Sequence, residues 1–267
     1  MKKIITLTTD FGYKDEYVGL MKGVILGINP NVTIIDLCHK IEAQNVIEAA
    51  YLIRSAYSYF PKNTMHVIIV DPGVGSQRKI IFSKTNKHYF LAPDNGILDL
   101  IFEDHMPDYI YSVTNTDYFL HPISNTFHGR DIFAPVSSHI LNGLNPDNIG
   151  ENISFEDMVH LKIQRPVMDK NGILQGSIIS IDTFGNLTTN IDRKIFKKAS
   201  FDEKNIQIII GNEIIKGISN SYNTVLKGKI LAIFGSREYL EIAANRGNAQ
   251  KKLAVKNGHK IKLFKPQ

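Results

Sequence analysis

Apolar positions in the N-terminal part of the chain follow two alternating spacings. Short β-branched runs at residues 3–8, 32–37 and 65–70 are typical of buried strands. Between them, residues 15–27 and 45–58 carry apolar side chains at helical spacing and predict amphipathic helices. Strands that alternate with helices in this way form a parallel sheet with helices packed on its faces. We therefore expect an α/β domain with a mainly parallel sheet.

The stretch that follows the third strand predicts a strand pair and a short helix. Residues 79–83 and 88–92 are apolar runs, and the Pro-Asp-Asn-Gly segment at residues 93–96 is a strong turn signal. Residues 97–102 predict the helix.

The pattern changes near residue 165, where helical periodicity becomes weak. From there, short apolar runs are separated by turn dipeptides such as Asn-Gly and Lys-Gly, at the spacing of a small barrel or sandwich. We place a domain boundary at about residues 160–168, with an α/β domain over residues 1–165 and a smaller β domain over residues 166–267. The runs that predict its strands are residues 172–182, 206–210, 213–218, 229–234 and 260–264.

Composition places the chain among ordinary globular proteins. Of its 267 residues, 43% are hydrophobic and 21% are charged. No apolar run reaches the roughly 18 residues of a membrane span, and the apolar stretch after Lys3 is too short and too soon acidic for a signal peptide. The single cysteine, Cys38, excludes an internal disulfide and a cysteine-based zinc site. We expect a cytoplasmic protein that makes no membrane contact.

The basic charge balance raises nucleic-acid binding as one class of function. The net charge is +5 and the pI is about 9.0. However, the lysines are scattered, with small groups only at residues 194–198 and 251–252, and no basic cluster is interleaved with aromatic side chains. A solvated, lysine-rich surface explains the charge, and we expect no nucleic-acid partner.

Polar side chains follow the ends of the first and third predicted strands. Asp71 comes directly after the third strand, a Pro-Gly-Val-Gly turn lets a ligand approach the backbone, and Arg78 follows. Asp10 ends the first strand in the same way, before Gly12. Because ligands of open α/β sheets bind beyond the carboxyl ends of strands, these residues are candidates for a polar site. A structural ion pair between Asp71 and Arg78 is the alternative.

Asp10 and Asp15 have different alternatives. A carboxylate at a strand end suits the two hydroxyls of a ribose, which favours ligand binding by Asp10. Asp15 precedes an amphipathic helix, so it either caps that helix or binds a ligand.

His128 lies in the Phe-His-Gly-Arg-Asp segment and is a candidate for acid–base chemistry. The unperturbed pKa of histidine lies nearest neutrality among the side chains. The glycine after it and a predicted helix start shortly downstream favour a position that faces a cavity, and a packing role is the alternative. We expect Arg130 and Asp131 to form an ion pair that holds the loop.

The second predicted domain carries two polar segments. A predicted strand is followed by an acid, an aromatic residue and an amide, namely Asp182, Phe184 and Asn186. They suit stacking and edge recognition of an adenine, whereas core packing and turn formation are the alternatives. Ser236 and Arg237 suit a carboxylate, because a guanidinium fork matches that group.

Motifs for metal and phosphate sites are absent from the sequence. The nine histidines show neither H-x-H nor H-E-x-x-H spacing. The chain also lacks the G-x-x-x-x-G-K-[ST] phosphate loop and the G-x-S-x-G nucleophile elbow. We therefore expect no metal.

Six short motifs are together specific through their order and spacing. They are T-D-F-G at 9–12, V-D-P-G-V-G at 70–75, A-P-D-N-G at 92–96, F-H-G-R-D at 127–131, F-G-N at 184–186 and S-R-E-Y-L at 236–240. Over essentially its full length, the chain resembles the S-adenosyl-L-methionine hydroxide adenosyltransferases, which are hydrolases related to the fluorinase and chlorinase enzymes.

The resemblance implies cleavage of S-adenosyl-L-methionine to adenosine and L-methionine by water or hydroxide attacking C5′, with no cofactor. The family's water-handling set matches Asp71, Arg78 and His128, the catalytic candidates. Halogenases instead carry Tyr and Thr in the segment found here at residues 71–74, and Tyr-Ser at residues 128–129, so the halide-binding hydroxyls are missing. A halogenase of the same fold and a non-catalytic adenosine or S-adenosyl-L-methionine sensor are the alternatives.

The resemblance also implies the substrate contacts and the assembly. Its fold is an α/β catalytic domain followed by a small β-barrel. Such proteins are typically homotrimers, with the site between the first domain of one subunit and the second domain of its neighbour. By resemblance, Asp10 would bind the ribose hydroxyls, and Asp15 and Asp182 would bind the methionine amine. Ser236 and Arg237 would bind the methionine carboxylate. The adenine would contact Phe184, Asn186 and the backbone from Asn245 through Arg246 to Gly247.

Overall fold

The structure is a computed structural model that describes residues 2–266. The chain separates into two compact units, which meet in sequence between Lys162 and Ile163. Within the described residues, no helix has the length and apolar character needed to cross a membrane.

The first unit is built on a seven-stranded mixed sheet. Its strands are β1 (Ile4–Thr9), β2 (Thr33–Cys38), β3 (Met65–Ile69), β4 (Ile80–Thr85), β5 (His88–Pro93), β6 (Tyr109–Val113) and β7 (Gly150–Asn152). Their order in the sheet is β2-β1-β3-β5-β4-β6-β7. The pairings from β2 to β5 are parallel, and those from β5 to β7 are antiparallel.

The helices of the first unit are α1 (Tyr17–Ile28), α2 (Val46–Ala56), α3 (Asp99–Asp104) and α4 (Ala134–Asn142). Of these, α1 and α4 bury apolar side chains in one core with the sheet. Met21 of α1 packs with Leu7 of β1, Phe82 of β4 and Phe133, and all four are fully buried. Asn45 caps α2 because its side-chain oxygen accepts the Glu48 N–H at 3.0 Å.

The prediction of an α/β domain is confirmed, and its sheet is more evenly mixed than expected. β4 and β5 form the predicted strand pair, joined by Asn86 and Lys87, which both have positive φ. Such a two-residue turn matches the twist of an antiparallel hairpin. β6 then pairs antiparallel with β4, and β7 pairs antiparallel with β6.

The second unit is an antiparallel sheet that nearly closes on itself, as a small barrel. The elements are β8 (Val167–Met168), β9 (Leu174–Ile181), β10 (Leu187–Asp192), α5 (Arg193–Lys198), β11 (Gln207–Ile210), β12 (Glu213–Lys216), β13 (Ile230–Phe234), β14 (Tyr239–Ala244), α6 (Ala249–Leu253) and β15 (Lys260–Phe264). The path of the sheet runs β12-β11-β15-β9-β10-β14-β13, and a bridge between Ser219, just after β12, and Ile233 of β13 links the two ends. The predicted small β domain is therefore barrel-like.

Candidate active site

Asp71 and Arg78 form a two-pronged ion pair just beyond the end of β3. The Arg78 Nε–H donates to Asp71 Oδ1 at 2.7 Å, and its Nη2 donates to Asp71 Oδ2. The exposed fractions of the side chains are 5% for Asp71 and 10% for Arg78. This pair is therefore unlike the exposed ion pairs that contribute little, since burial strengthens charge–charge interactions.

A close backbone approach brings the loop of Asp71 against the loop that carries His128. Gly75 has φ +76°, and a Cβ atom there would lie 2.3 Å from the Asn125 carbonyl oxygen. Only glycine fits such a contact in that conformation. His128 directly precedes a π-helical turn (Gly129–Phe133), a local widening that is often found at functional sites.

His128 completes the cluster through its contact with the guanidinium. Its Nδ1 atom lies 3.4 Å from Arg78 Nη2. Burial lowers the pKa of His128 below its ordinary value, and the positive charge of Arg78 lowers it further. The imidazole is therefore neutral near pH 7. Because Arg78 has only hydrogens to donate, Nδ1 accepts, and the one ring proton is on Nε2.

The neighbouring ion pair has a structural role. Arg130 Nε donates to Asp131 Oδ1 at 2.6 Å, and Asp131 Oδ2 accepts the Ser124 N–H at 2.8 Å. Asp131 is completely buried. These bonds hold the loop before His128, and the predicted pairing of Arg130 with Asp131 is confirmed.

Asp10 and Asp15 occupy the segment between β1 and α1. Asp10 Oδ2 accepts the Gln44 N–H at 2.8 Å, so the carboxylate is oriented by a second loop. Asp15 is exposed. The capping position of α1 is occupied by Glu16, without a side-chain bond, so Asp15 does not cap that helix.

A cavity of about 840 Å³ lies within the second unit. It brings together most of the second-unit candidates with several further side chains. The lining residues are Asp182, Phe184, Asn186, Tyr222, Ile233, Phe234, Gly235, Ser236, Arg237, Glu241, Ala244, Arg246 and Gly247.

Asp182 organises the turn that presents an aromatic ring to this cavity. Its Oδ1 accepts the N–H groups of Phe184 and Asn186, both at 2.9 Å, and its Oδ2 accepts the Asn186 amide at 2.9 Å. Phe184 is therefore held out from the turn, and the residue is 74% exposed. An exposed ring beside a cavity is suited to stacking on a ligand and is not a core residue.

Two further candidates differ in how the structure places them. Arg237 lines the cavity, and its Nη2 donates to Thr188 Oγ1 at 2.8 Å, which fixes the guanidinium. Asn245 is not among the lining residues. Its side chain donates to the Val225 carbonyl at 2.7 Å, and its own backbone carbonyl accepts the Gly228 N–H at 2.7 Å. These two groups of Asn245 are therefore already hydrogen-bonded within the protein.

Sequence reasoning missed the pair formed by Tyr222 and Glu241 in the same cavity. The Tyr222 hydroxyl donates to Glu241 Oε1 at 2.8 Å. Burial raises the pKa of Glu241, and burial together with this bond raises the pKa of Tyr222 to about 12. The sequence signal that could have indicated this pair is the position of Glu241, an acid within the apolar run of β14.

The structure contains no candidate metal centre in the part of the chain that it describes. Residues 2–266 hold no group of three or more His, Cys, Asp or Glu side chains placed to bind a metal ion.

Comparison with known protein families assigns both units. Residues 5–150 match the sequence model of the SAM hydroxide adenosyltransferase N-terminal domain. Residues 176–262 match the model of the SAM hydroxide adenosyltransferase C-terminal domain. Together they cover most of both units.

Individual relatives agree with this assignment. An (R)-S-adenosyl-L-methionine hydrolase of Methanocaldococcus jannaschii is 35% identical, over 94% of this chain and 92% of the relative. A fluorinase of Actinoplanes sp. is 30% identical, over 73% of this chain and 74% of the relative. A crystal structure of an uncharacterized conserved protein from Thermotoga maritima is 38% identical, covers 98% of this chain and 100% of that one, and superposes with a TM-score of 0.90.

Proposed function

Because this chain belongs to the SAM hydroxide adenosyltransferase family, we propose that it is an enzyme that hydrolyses S-adenosyl-L-methionine to adenosine and L-methionine. The observation that carries the proposal is the partly buried cluster of Asp71, Arg78 and His128. It combines an anion, a fixed cation and a neutral imidazole, which is an arrangement suited to holding and deprotonating a water molecule.

The reaction needs help at the nucleophile and little at the leaving group. Water oxygen attacks C5′, the C5′–S bond breaks, and its electron pair turns the sulfonium into a neutral thioether. The attacking water becomes a strongly acidic protonated alcohol, so a carboxylate is basic enough to accept its proton. Positioning alone can supply roughly 7–11 kcal/mol of such a barrier.

We assign that proton to Asp71 because of the state of its neighbours. His128 Nδ1 accepts from Arg78, and the proton of the neutral ring is on Nε2, so His128 is arranged to donate to the water oxygen and orient it. Arg78 holds both Asp71 oxygens in place. Asp71 Oδ1 already accepts a second hydrogen bond, from the Gly73 N–H at 3.2 Å. A carboxylate oxygen has two lone pairs, so Oδ2 is the oxygen that can still accept a hydrogen bond from the water.

For substrate binding, the proposal keeps the residues that resemblance implied, with one change. Phe184 and Asn186 line the cavity and suit the adenine, and the fixed guanidinium of Arg237 with Ser236 suits the methionine carboxylate. The change concerns the backbone of Asn245, because its N–H donates to the Lys229 carbonyl at 3.0 Å and its carbonyl accepts the Gly228 N–H at 2.7 Å. The remaining assignments are Asp10 to the ribose, Asp15 and Asp182 to the amine, and the backbone of Arg246 and Gly247 to the adenine edge.

The assembly and the absence of a cofactor also belong to the proposal. We infer a homotrimer in which the first domain of one subunit and the second domain of its neighbour form each site, with domains at residues 1–165 and 166–267. S-adenosyl-L-methionine is the substrate, and no cofactor takes part. A cytoplasmic location stays a prediction from the sequence.

A halogenase is the second candidate, because one relative is a fluorinase. Residues 71–74 of this chain read Asp-Pro-Gly-Val and contain no hydroxyl side chain for a halide. In the same segment, the Asp71 carboxylate forms an ion pair with Arg78, and a carboxylate repels a halide anion. We therefore favour water as the nucleophile.

The decisive test is incubation with S-adenosyl-L-methionine in ¹⁸O-water without halide. We expect adenosine labelled at its 5′ oxygen, together with methionine, by chromatography with mass detection. The two sulfonium diastereomers are tested separately, because the related hydrolases are named for the (R) form. A halogenated nucleoside formed only with added halide would make the protein a halogenase, and binding without turnover would make it a sensor.

The assignment of Arg237 predicts a selective loss of substrate affinity. Arg237→Met removes the carboxylate partner, so we expect KM to rise at least about tenfold, since a hydrogen bond to a charged group contributes about 1.5–3 kcal/mol. The value of kcat stays within a factor of about three, because C5′ chemistry occurs elsewhere.

The decarboxylated substrate provides the control for Arg237. The wild-type enzyme should prefer the intact substrate, and the Arg237→Met variant should not distinguish the two compounds. If the variant keeps the wild-type preference, Arg237 does not hold the carboxylate.

A further inference from the structure

A chain of four side chains connects the surface of α1 to the last residue of β1. Lys22 Nζ donates to Asp36 Oδ2 at 2.7 Å. Asp36 Oδ1 lies 3.2 Å from His39 Nε2, and His39 Nδ1 lies 2.8 Å from Thr9 Oγ1. Thr9 directly precedes Asp10. The chain therefore ends beside the acid to which the ribose is assigned.

The burial of these groups fixes the direction of each hydrogen bond. Thr9 and His39 are 0% and 1% exposed. Asp36 Oδ1 and His39 Nε2 are buried, lie 3.2 Å apart, and have no hydrogen bond of good geometry among the described residues, so each is the polar group nearest at hand for the other. Burial lowers the pKa of His39, so the ring is neutral and carries its proton on Nε2, toward the carboxylate. The Thr9 hydroxyl then donates to Nδ1.

His39 reaches the segment of residues 9–12, here called the Thr9 loop, in two ways. Thr9 Oγ1 accepts the Phe11 N–H at 3.2 Å, so the hydroxyl is used as donor and acceptor at once. The His39 carbonyl accepts the Gly12 N–H at 2.7 Å. The first bond spans Asp10, and the second fixes the backbone two residues after it. Within the described residues, the Asp10 side chain is bonded to the Gln44 N–H.

We propose that His39 is a positioning residue for substrate binding, which acts through Thr9 to set the conformation of the Thr9 loop and with it the placement of the Asp10 carboxylate. The proposal rests on the assignment of Asp10 to the ribose in the proposed function. His39 is not catalytic, because it is buried beneath the loop and touches Thr9, Asp36 and the ring of Tyr13.

A second pair of a threonine of β1 with a buried histidine separates this role from simple core stability. His66 Nδ1 lies 2.8 Å from Thr6 Oγ1, and both residues are completely buried. Thr6 and Thr9 belong to the same strand, β1. The Thr6–His66 pair has the chemistry and burial of the Thr9–His39 pair but lies in the middle of the strand, three residues before Thr9.

Two substitutions of His39 separate its contact with Thr9 from its contact with Asp36. In His39→Asn, the side-chain oxygen takes the place of Nδ1 and keeps an acceptor for Thr9 while it loses Asp36. In His39→Gln, the longer amide reaches toward the Nε2 position and keeps Asp36 while it loses Thr9. Thr9→Val removes the hydroxyl, and Thr9→Ser restores it.

We expect His39→Gln and Thr9→Val to weaken adenosine binding by about tenfold and to raise KM equally, with kcat within a factor of about three. His39→Asn and Thr9→Ser should bind adenosine within about threefold of the wild type. The control Thr6→Val should lose as much thermal stability as Thr9→Val and keep wild-type affinity. Calorimetric titration, steady-state kinetics and thermal melts give these values.

The proposal is overturned if Thr9→Val and His39→Gln bind adenosine as tightly as Thr6→Val does. Amide hydrogen exchange at Phe11 and Gly12 decides the case in which the wild type binds no adenosine and the proposed function fails. Faster exchange there in Thr9→Val than in Thr6→Val supports positioning of the loop by His39, and equal exchange overturns it.

Discussion

Replacing Asp71 by asparagine should lower kcat by about 10² or more, the usual scale for a general acid or base. Asparagine keeps the shape of the side chain and removes its charge, so the water loses its proton acceptor. Arg78 also loses one of its two charge-assisted bonds. Adenosine affinity should stay within about threefold, because the assigned adenosine contacts lie on other residues. Steady-state kinetics and calorimetric titration measure both quantities.

A second two-pronged pair in the first unit is the control for Asp71. Arg54 donates to Asp104 through Nε at 2.7 Å and through Nη2 at 2.9 Å. Asp104→Asn removes the same kind of carboxylate and should leave kcat unchanged. Full turnover in Asp71→Asn would refute the assignment of the water-handling residues.

Replacing His128 by alanine should lower kcat by about 10² and remove a pH dependence. The His128 pKa is lowered from its ordinary value of 6.5 by burial and by Arg78. The neutral ring therefore persists below pH 6.5, and wild-type turnover should decline only at lower pH, where protonation of Nδ1 ends its bond with Arg78. The variant should lack this decline of kcat at low pH, here called the acidic limb. Profiles of kcat against pH test this result.

The exposed His105 is a suitable control for the pH profile. His105→Ala should keep both the wild-type kcat and the acidic limb. If His128→Ala retains the limb, another group titrates in the reaction, and His128 only fills space beside Arg78.

Predictions from the sequence succeeded where a local pattern determines the structure. Periodicity located β1, β2, β3 and the first two helices to within one or two residues, because an apolar stripe or run must be buried. It did not anticipate that the strands after β5 would be antiparallel. That outcome depends on the Asn86–Lys87 turn, whose positive φ values follow from the hairpin and not from any apolar pattern.

The candidate site shows the same division between local and tertiary information. The sequence indicated Asp71, Arg78 and His128 as separate candidates, and their contact depends on a backbone approach between loops about fifty residues apart. Glu241 was not among the candidates, because an acid in an apolar strand gains meaning only from the cavity that it faces. The backbone of Asn245 was assigned by resemblance, and only the folded chain reveals that its N–H and carbonyl are hydrogen-bonded to Lys229 and Gly228.

The contact between Gly75 and the Asn125 carbonyl limits how this scaffold can be re-engineered. A designer who grafts halide-binding hydroxyls into residues 71–74 can vary side chains that face the reaction, but the graft must end before Gly75. A side chain at that position would push the two loops apart, and the new hydroxyls would no longer meet His128. The most restrictive position for changing the nucleophile is thus one with no functional group.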